Sequence, residues 1–180
     1  MLSTMFKKKL SNEQLANVFV NGVLDVIDKG FEEVMSLIQE DPAFAKAPNL
    51  THATDGHFSM IIIVGNLGYL DTSFEHEQVI ALEPLIIEKF AAVYDLTPEA
   101  FEGHIKEYKS FMNRVNHPSK NLLYSMSKGI FHKYHLNQYQ DDYFKKMVCP
   151  NPLFLKRMDE VMLNFVWNWD AFFKRYKMVS

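Results

Sequence analysis

A chain of 180 residues, 48 % hydrophobic and 23 % charged, is long enough for one domain that buries a sizeable core without staples. One cysteine, Cys149, excludes an intrachain disulfide, and the longest apolar run, Met60 to Val64, is far too short to cross a bilayer. The net charge of −3 conceals an asymmetry: the first 90 residues carry 6 Lys/Arg against 13 Asp/Glu, the last 90 carry 13 against 9.

The charges of the basic half alternate in sign rather than cluster. Attraction between the halves of one fold is therefore the expectation, not a nucleic-acid partner. No membrane partner is expected either. No apolar h-region follows Lys7, Lys8 and Lys9, and a single thiol fits a reducing compartment, so the expected location is cytoplasmic. Fifteen Phe, eight Tyr, two Trp and ten Met promise a bulky core.

In chain order, Ser11 with Gln14 three residues on reads as a capping box. The helix it opens carries Leu15, Phe19, Gly22, Val23, Val26 and Ile27 on one face, with Gly30 as its stop. A second short helix is expected over Phe31–Glu40, ended by Pro42. Residues 42–57, rich in Pro, Asn, Thr and Gly, form the longest loop. Met60–Val64 has strand composition, but no second convincing strand pattern offers it a neighbour. A helix over Phe58–Leu70, apolar all round, is favoured, with Gly65 and Gly68 allowing close backbone approach.

Thr72 or Ser73 is the expected cap of the next helix, whose stripe is Val79, Leu82, Ile86, Phe90 and Val93. Pro84 predicts a kink or break near Glu83. Thr97 followed by Pro98 starts a helix with Phe101, Ile105, Tyr108, Met112 and Val115 on one side. Ser119 is expected to cap another, carrying Leu122, Leu123, Met126, Ile130 and Tyr134. Asn137–Met147 reads as a short helix. Asn151 with Pro152 opens a final long helix, in which Phe154, Met158, Val161, Met162, Phe165, Trp169, Phe172 and Tyr176 recur at steps of three and four. The expected fold is all-α: a single helical domain over residues 1–180, an irregular bundle of about seven helices.

The chain carries no reaction-specific signature. G-x-S-x-G, Walker A and G-x-G-x-x-G patterns are absent, and Gly65-Asn66-Leu67-Gly68 lacks the Lys-Ser/Thr of a phosphate loop. Cys149 has no base beside it in sequence and reads as an inert thiol, and His132-x-x-His135 reads as a solvated pair. Three residues are candidate metal ligands. His76 and Glu83, seven apart, share one side of a continuous helix, and His104 sits on an apolar stripe, beside Phe101, Tyr108 and Phe111, where a buried imidazole needs a partner. Glu-x-x-His, the di-iron bundle pattern, is missing. Leu163 and Trp167 form an apolar pair on the polar side of the last helix, a candidate contact within the chain or between chains.

One segment resembles a known family. Asp71-Thr72-Ser73-Phe74-Glu75-His76-Glu77, then Ala91-Ala92-Val93-Tyr94-Asp95-Leu96-Thr97-Pro98-Glu99, is similar to the central turn and helix of TerB-type tellurite-resistance helical domains. It covers under a third of the chain. Thr72 stands where that family has Gly, and Pro84 interrupts the helix. The resemblance implies Asp71 and Glu77 as metal contacts. From the residues alone the leading expectation is a non-catalytic helical binding or regulatory module, self-association being one form. The alternative is a metal- or small-ligand-binding helical protein with possible enzymatic activity. No cofactor is required by the sequence.

Overall fold

The computed structural model describes residues 7–179, and the chain is an all-α bundle. Six helices have eleven or more residues: α1 (Asn12–Glu40), α2 (Asp55–Gly68), α4 (His76–Val93), α5 (Pro98–Asn116), α6 (Leu122–Lys133) and α8 (Pro152–Met162). Three are short: α3 (Leu70–Ser73), α7 (Asp142–Met147) and α9 (Trp169–Arg175). Two three-residue strands, β1 (Lys8–Leu10) and β2 (Tyr176–Met178), pair in parallel with Lys8 opposite Tyr176. The sequence carries no usable signal for this small sheet: Lys-Lys-Leu does not alternate apolar with polar residues, and Tyr-Lys-Met, which does, is only three residues long and also fits the helical repeat before it.

Helix α2 is the axle. Phe58, Ile61, Ile62 and Ile63 are completely buried, so the strand-like run lies in a helix sheathed by α1, α5 and α6. Each such side chain contributes about 1.5–3 kcal/mol on burial. Gly65 permits the close approach expected of it: a Cβ there would lie 2.5 Å from Met126 Sδ on α6. Around the axle α1 packs on α4, α5 on α6, and α6 on α8. Arg157 clamps Asp41 through two hydrogen bonds of 2.8 and 2.7 Å, joining the basic half to the acidic half.

Several local expectations are corrected. Gly30 does not stop a helix; α1 runs unbroken to Glu40. Gly30 keeps a negative φ, and a Cβ on it would lie 2.5 Å from the Phe165 ring. Its smallness serves packing, not a left-handed cap. Thr72 does not cap α4, because its hydroxyl donates to Tyr69 O at 2.8 Å within α3. Glu75 takes the cap position, and its N–H donates to Gln78 Oε1 at 3.2 Å. Helix α4 continues through Pro84. Ile80 and Pro84 both lie on its exposed face, where water can take the carbonyl that proline leaves without a donor. Val93, assigned to the core stripe, is 56 % exposed. Asn121 rather than Ser119 caps α6, accepting from Tyr124 N–H at 3.1 Å. Residues 137–147 divide into a 3-10 turn, Leu136–Tyr139, and α7.

The largest correction concerns the final helix. The apolar repeat from Phe154 to Tyr176 is interrupted: α8 tightens into a 3-10 turn at Leu163–Phe165, the chain extends at Val166, and α9 starts afresh with Asn168 as its cap. The cause is a buried carboxamide on α2. Asn66, 1 % exposed, donates through Nδ2 to Ile62 O at 2.9 Å and to Phe165 O at 2.8 Å. Its Oδ1 accepts from Trp167 N–H at 2.8 Å. Asn66 thus takes over one carbonyl and one N–H that a continuous helix would have used itself. The chain then turns Trp167 and Trp169 onto Phe19 of α1, with Phe19 stacked on Trp169 at 5.3 Å between ring centres and Phe172 packed against both tryptophans.

Asn66→Leu keeps the branched shape of the side chain, with some added bulk, but leaves Phe165 O and Trp167 N–H without partners. The expected loss is about 2–4 kcal/mol of unfolding free energy in a urea titration, from two stranded backbone groups. A loss below about 0.5 kcal/mol would show that the carboxamide is not what holds this turn.

A histidine-lined cleft as the candidate functional site

The site begins with how α2 starts. Its cap residue Thr54 makes no side-chain bond to the first turn. Tyr134, the C-cap of α6, does that work from across the fold. Its hydroxyl accepts from Phe58 N–H at 3.0 Å and donates to Thr54 O at 2.7 Å. The phenol is inserted between the two groups that would otherwise make the first bond of the helix, and satisfies both. Burial pushes its pKa well above the ordinary range, so the hydroxyl stays protonated.

Next to it, His57 Nδ1 lies 2.6 Å from the hydroxyl of Tyr108 on α5. Burial raises the pKa of Tyr108, with Glu107 adding to it. Burial lowers that of His57, helped by the positive Lys133 and by His135. The pair is therefore a neutral imidazole and a neutral phenol. With the protonated phenol as donor to Nδ1, the ring proton of His57 lies on Nε2. Lys133 Nζ sits 4.8 Å from the centre of the Tyr108 ring and 4.5 Å from that of Phe111, held by the two aromatic faces.

Two grooves of about 370 Å³ each adjoin this pair and share Thr54 and His57. One is polar, bordered by Asn49, His52, Lys133, His135 and Gln138. The other is apolar, bordered by Met60, Leu96 and Phe101, with His104 at its edge. Four of the chain's seven histidines thus line one cleft. They come from the loop before α2, from α2 itself, from α5 and from the residue after the cap of α6. The cleft offers imidazole and amide hydrogen-bonding groups beside an apolar wall.

The residues singled out from sequence are scattered. His104 is exposed, not enclosed on an apolar face; the stripe of α5 passes through Phe101, Ile105 and Tyr108 and turns His104 outward. His76 is exposed at the first position of α4, while Glu83 is half-buried beside a different cavity with Asp71 and Lys109. Among the described residues no three His, Cys, Asp or Glu side chains come together to hold a metal ion. Glu77 is exposed in the first turn of α4, away from the cavity that Asp71 lines.

Leu163 and Trp167 do not form a pair on one helical face, since the helix ends between them. Leu163 stays 57 % exposed. Trp167 packs within the chain, its ring 2.0 Å from where a Cβ on Gly22 would be. His132-x-x-His135 spans the end of α6, and His135 takes φ 54, so the two imidazoles share no helical face.

Reading the sequence missed His57, Tyr108 and Tyr134 as a group. Tyr108 and Tyr134 were assigned to core stripes, correctly for their rings. A signal existed: a buried tyrosine still needs a partner for its hydroxyl. No protein-family model, curated protein or solved structure matches this chain, so the TerB-like stretch gains no support beyond its own residues.

Two histidines, His57 and His132, have native pKa values below the ordinary one; burial is the main cause for both, reinforced at His132 by Lys128. The unfolded chain therefore binds protons first. The stability due to their neutral forms is complete above about pH 6.5 and is lost as pH falls through the native values. The midpoint of thermal unfolding is expected to drop as pH falls below about 6.5, and the double variant His57→Gln/His132→Gln to flatten that drop. An equally steep drop in the double variant would assign it to other groups.

Proposed function

We propose that this protein is a non-catalytic helical binding module that takes a small, partly aromatic ligand in the cleft around His57. The observation that carries this reading is the His57–Tyr108 pair. A neutral imidazole, oriented through Nδ1, presents its Nε2 proton where a polar groove and an apolar groove meet. Few convergent polar groups set against an apolar wall suit orientation of a bound molecule. A planar ring fits against Met60, Leu96 and Phe101, and an acceptor on that ring meets His57. Uncharged or anionic acceptors suit the polar groove better than cations, since Lys133 borders it.

Ligand-detected NMR with a library of small aromatic amides and carboxylates tests this. Bound members are expected to shift the His57 and Tyr108 ring resonances and to lose about tenfold in affinity in His57→Ala, the worth of one good hydrogen bond. His57 lies at the edge of the cleft with part of its surface in water, so the variant is expected to fold. Binding unaffected by His57→Ala, or shifts confined to other parts of the molecule, would remove the cleft from consideration.

A further inference from the structure

A second cavity, unconnected with the His57 cleft, has a composition that selects its ligand. It measures about 130 Å³ and lies where α2, α3, α4, α5 and α6 converge. Its apolar lining comes from Val64 and Leu67 of α2, Val79 of α4, Ile105 and Met112 of α5, and Leu122 of α6. Besides Ser125 of α6, whose hydroxyl donates to Leu122 O at 2.6 Å, four polar side chains border the same space: Asp71 from α3, Glu83 from α4, and Lys109 and Asn113, one helical turn apart on α5.

None of these four makes a side-chain hydrogen bond or an ion pair recorded among the described residues. Asp71, Lys109 and Asn113 are exposed and Glu83 is half-buried, so all four are accessible at the mouth of the hollow. Here two carboxylates, an ammonium and a carboxamide surround an apolar hollow while remaining unpaired with one another.

We infer that this cavity binds a free α-amino acid with a small apolar side chain, the ammonium group on Asp71 and Glu83, the carboxylate on Lys109 and Asn113, and the side chain in the hollow. Both signs of charge are needed to explain the border. A simple amine would leave Lys109 facing a like charge, and a fatty acid would bring a third carboxylate to Asp71 and Glu83. A divalent ion would find no third His, Cys, Asp or Glu among the described residues and would meet the lysine. A sugar would meet apolar side chains where it needs donors. The amino-acid backbone is the smallest common group that answers two acids and a lysine together. The hollow between Val64, Leu67, Met112 and Leu122 then favours valine, leucine or methionine over polar amino acids.

Isothermal titration calorimetry with L-leucine, L-valine and L-methionine is the test, with leucine amide, 4-methylpentanoate and L-glutamate as comparators. At least one apolar amino acid is expected to bind, and the amide, the acid lacking nitrogen and glutamate to bind at least tenfold more weakly. Glu83→Gln and Lys109→Met are each expected to weaken binding by about tenfold or more, the worth of one charge-assisted hydrogen bond. Both residues border the cavity rather than fill the core, and thermal unfolding of each variant checks that it has folded. Methyl resonances of Ile105 and Met112 should shift on binding while the ring resonances of His57 do not, which keeps this result separate from the aromatic-ligand cleft. No heat and no methyl shift with any apolar amino acid at millimolar concentration would overturn the inference. So would leucine amide binding as tightly as leucine, which would make the cavity a cation site. Binding left unchanged in Lys109→Met would overturn it equally.

Discussion

The fold depends on one buried carboxamide. Asn66 stands in the middle of the most apolar helix of the chain, where a polar side chain without partners would be costly. It makes three short hydrogen bonds, and two of them reach the backbone a hundred residues later. That contact sets where α8 ends, where α9 begins, and the direction in which two tryptophans enter the aromatic cluster on α1. An apolar residue at position 66 would suit the axle equally well on hydrophobic grounds. It would give no reason for the C-terminal segment to bend at Val166 rather than continue as a rod.

A related device operates at the other end of α2. There the Tyr134 hydroxyl stands in for the first helical hydrogen bond, and the neighbouring Tyr108 orients His57. Both tyrosines have buried rings, so the positions of their hydroxyls follow from core packing and not from loop conformation. The cleft is therefore built on rigid elements even though His52 and Thr54 come from the loop between α1 and α2. Such support is what lets a single imidazole proton have a defined direction.

Much of the architecture was legible from periodicity. The stripes of α1, α5 and α6, the capping box at Ser11 and the Thr97–Pro98 start were all recoverable because they depend on neighbours within one or two turns. What was not legible depended on partners far away in sequence. Gly30 resembles a stop until Phe165 is seen against it. The repeat from Phe154 to Tyr176 resembles one helix until Asn66 divides it. Thr72 resembles a cap until its hydroxyl is found bonded backwards. The site follows the same rule: His57, Tyr108 and Tyr134 are separated by 51 and 26 residues and share no motif. His104 was placed correctly on its helix, but on the wrong side of the boundary between core and water.

The short parallel ladder between β1 and β2 has a mechanical consequence. Because the strands run the same way, the chain enters β1 beside Tyr176 and leaves β2 beside Leu10, at opposite ends of the ladder. Tension applied between residues 7 and 179 would slide one strand along the other and load every rung at once, rather than peeling the rungs apart singly. Three rungs at the margin of a helical bundle thus form a shear clamp, which must yield before force can reach the helices it encloses.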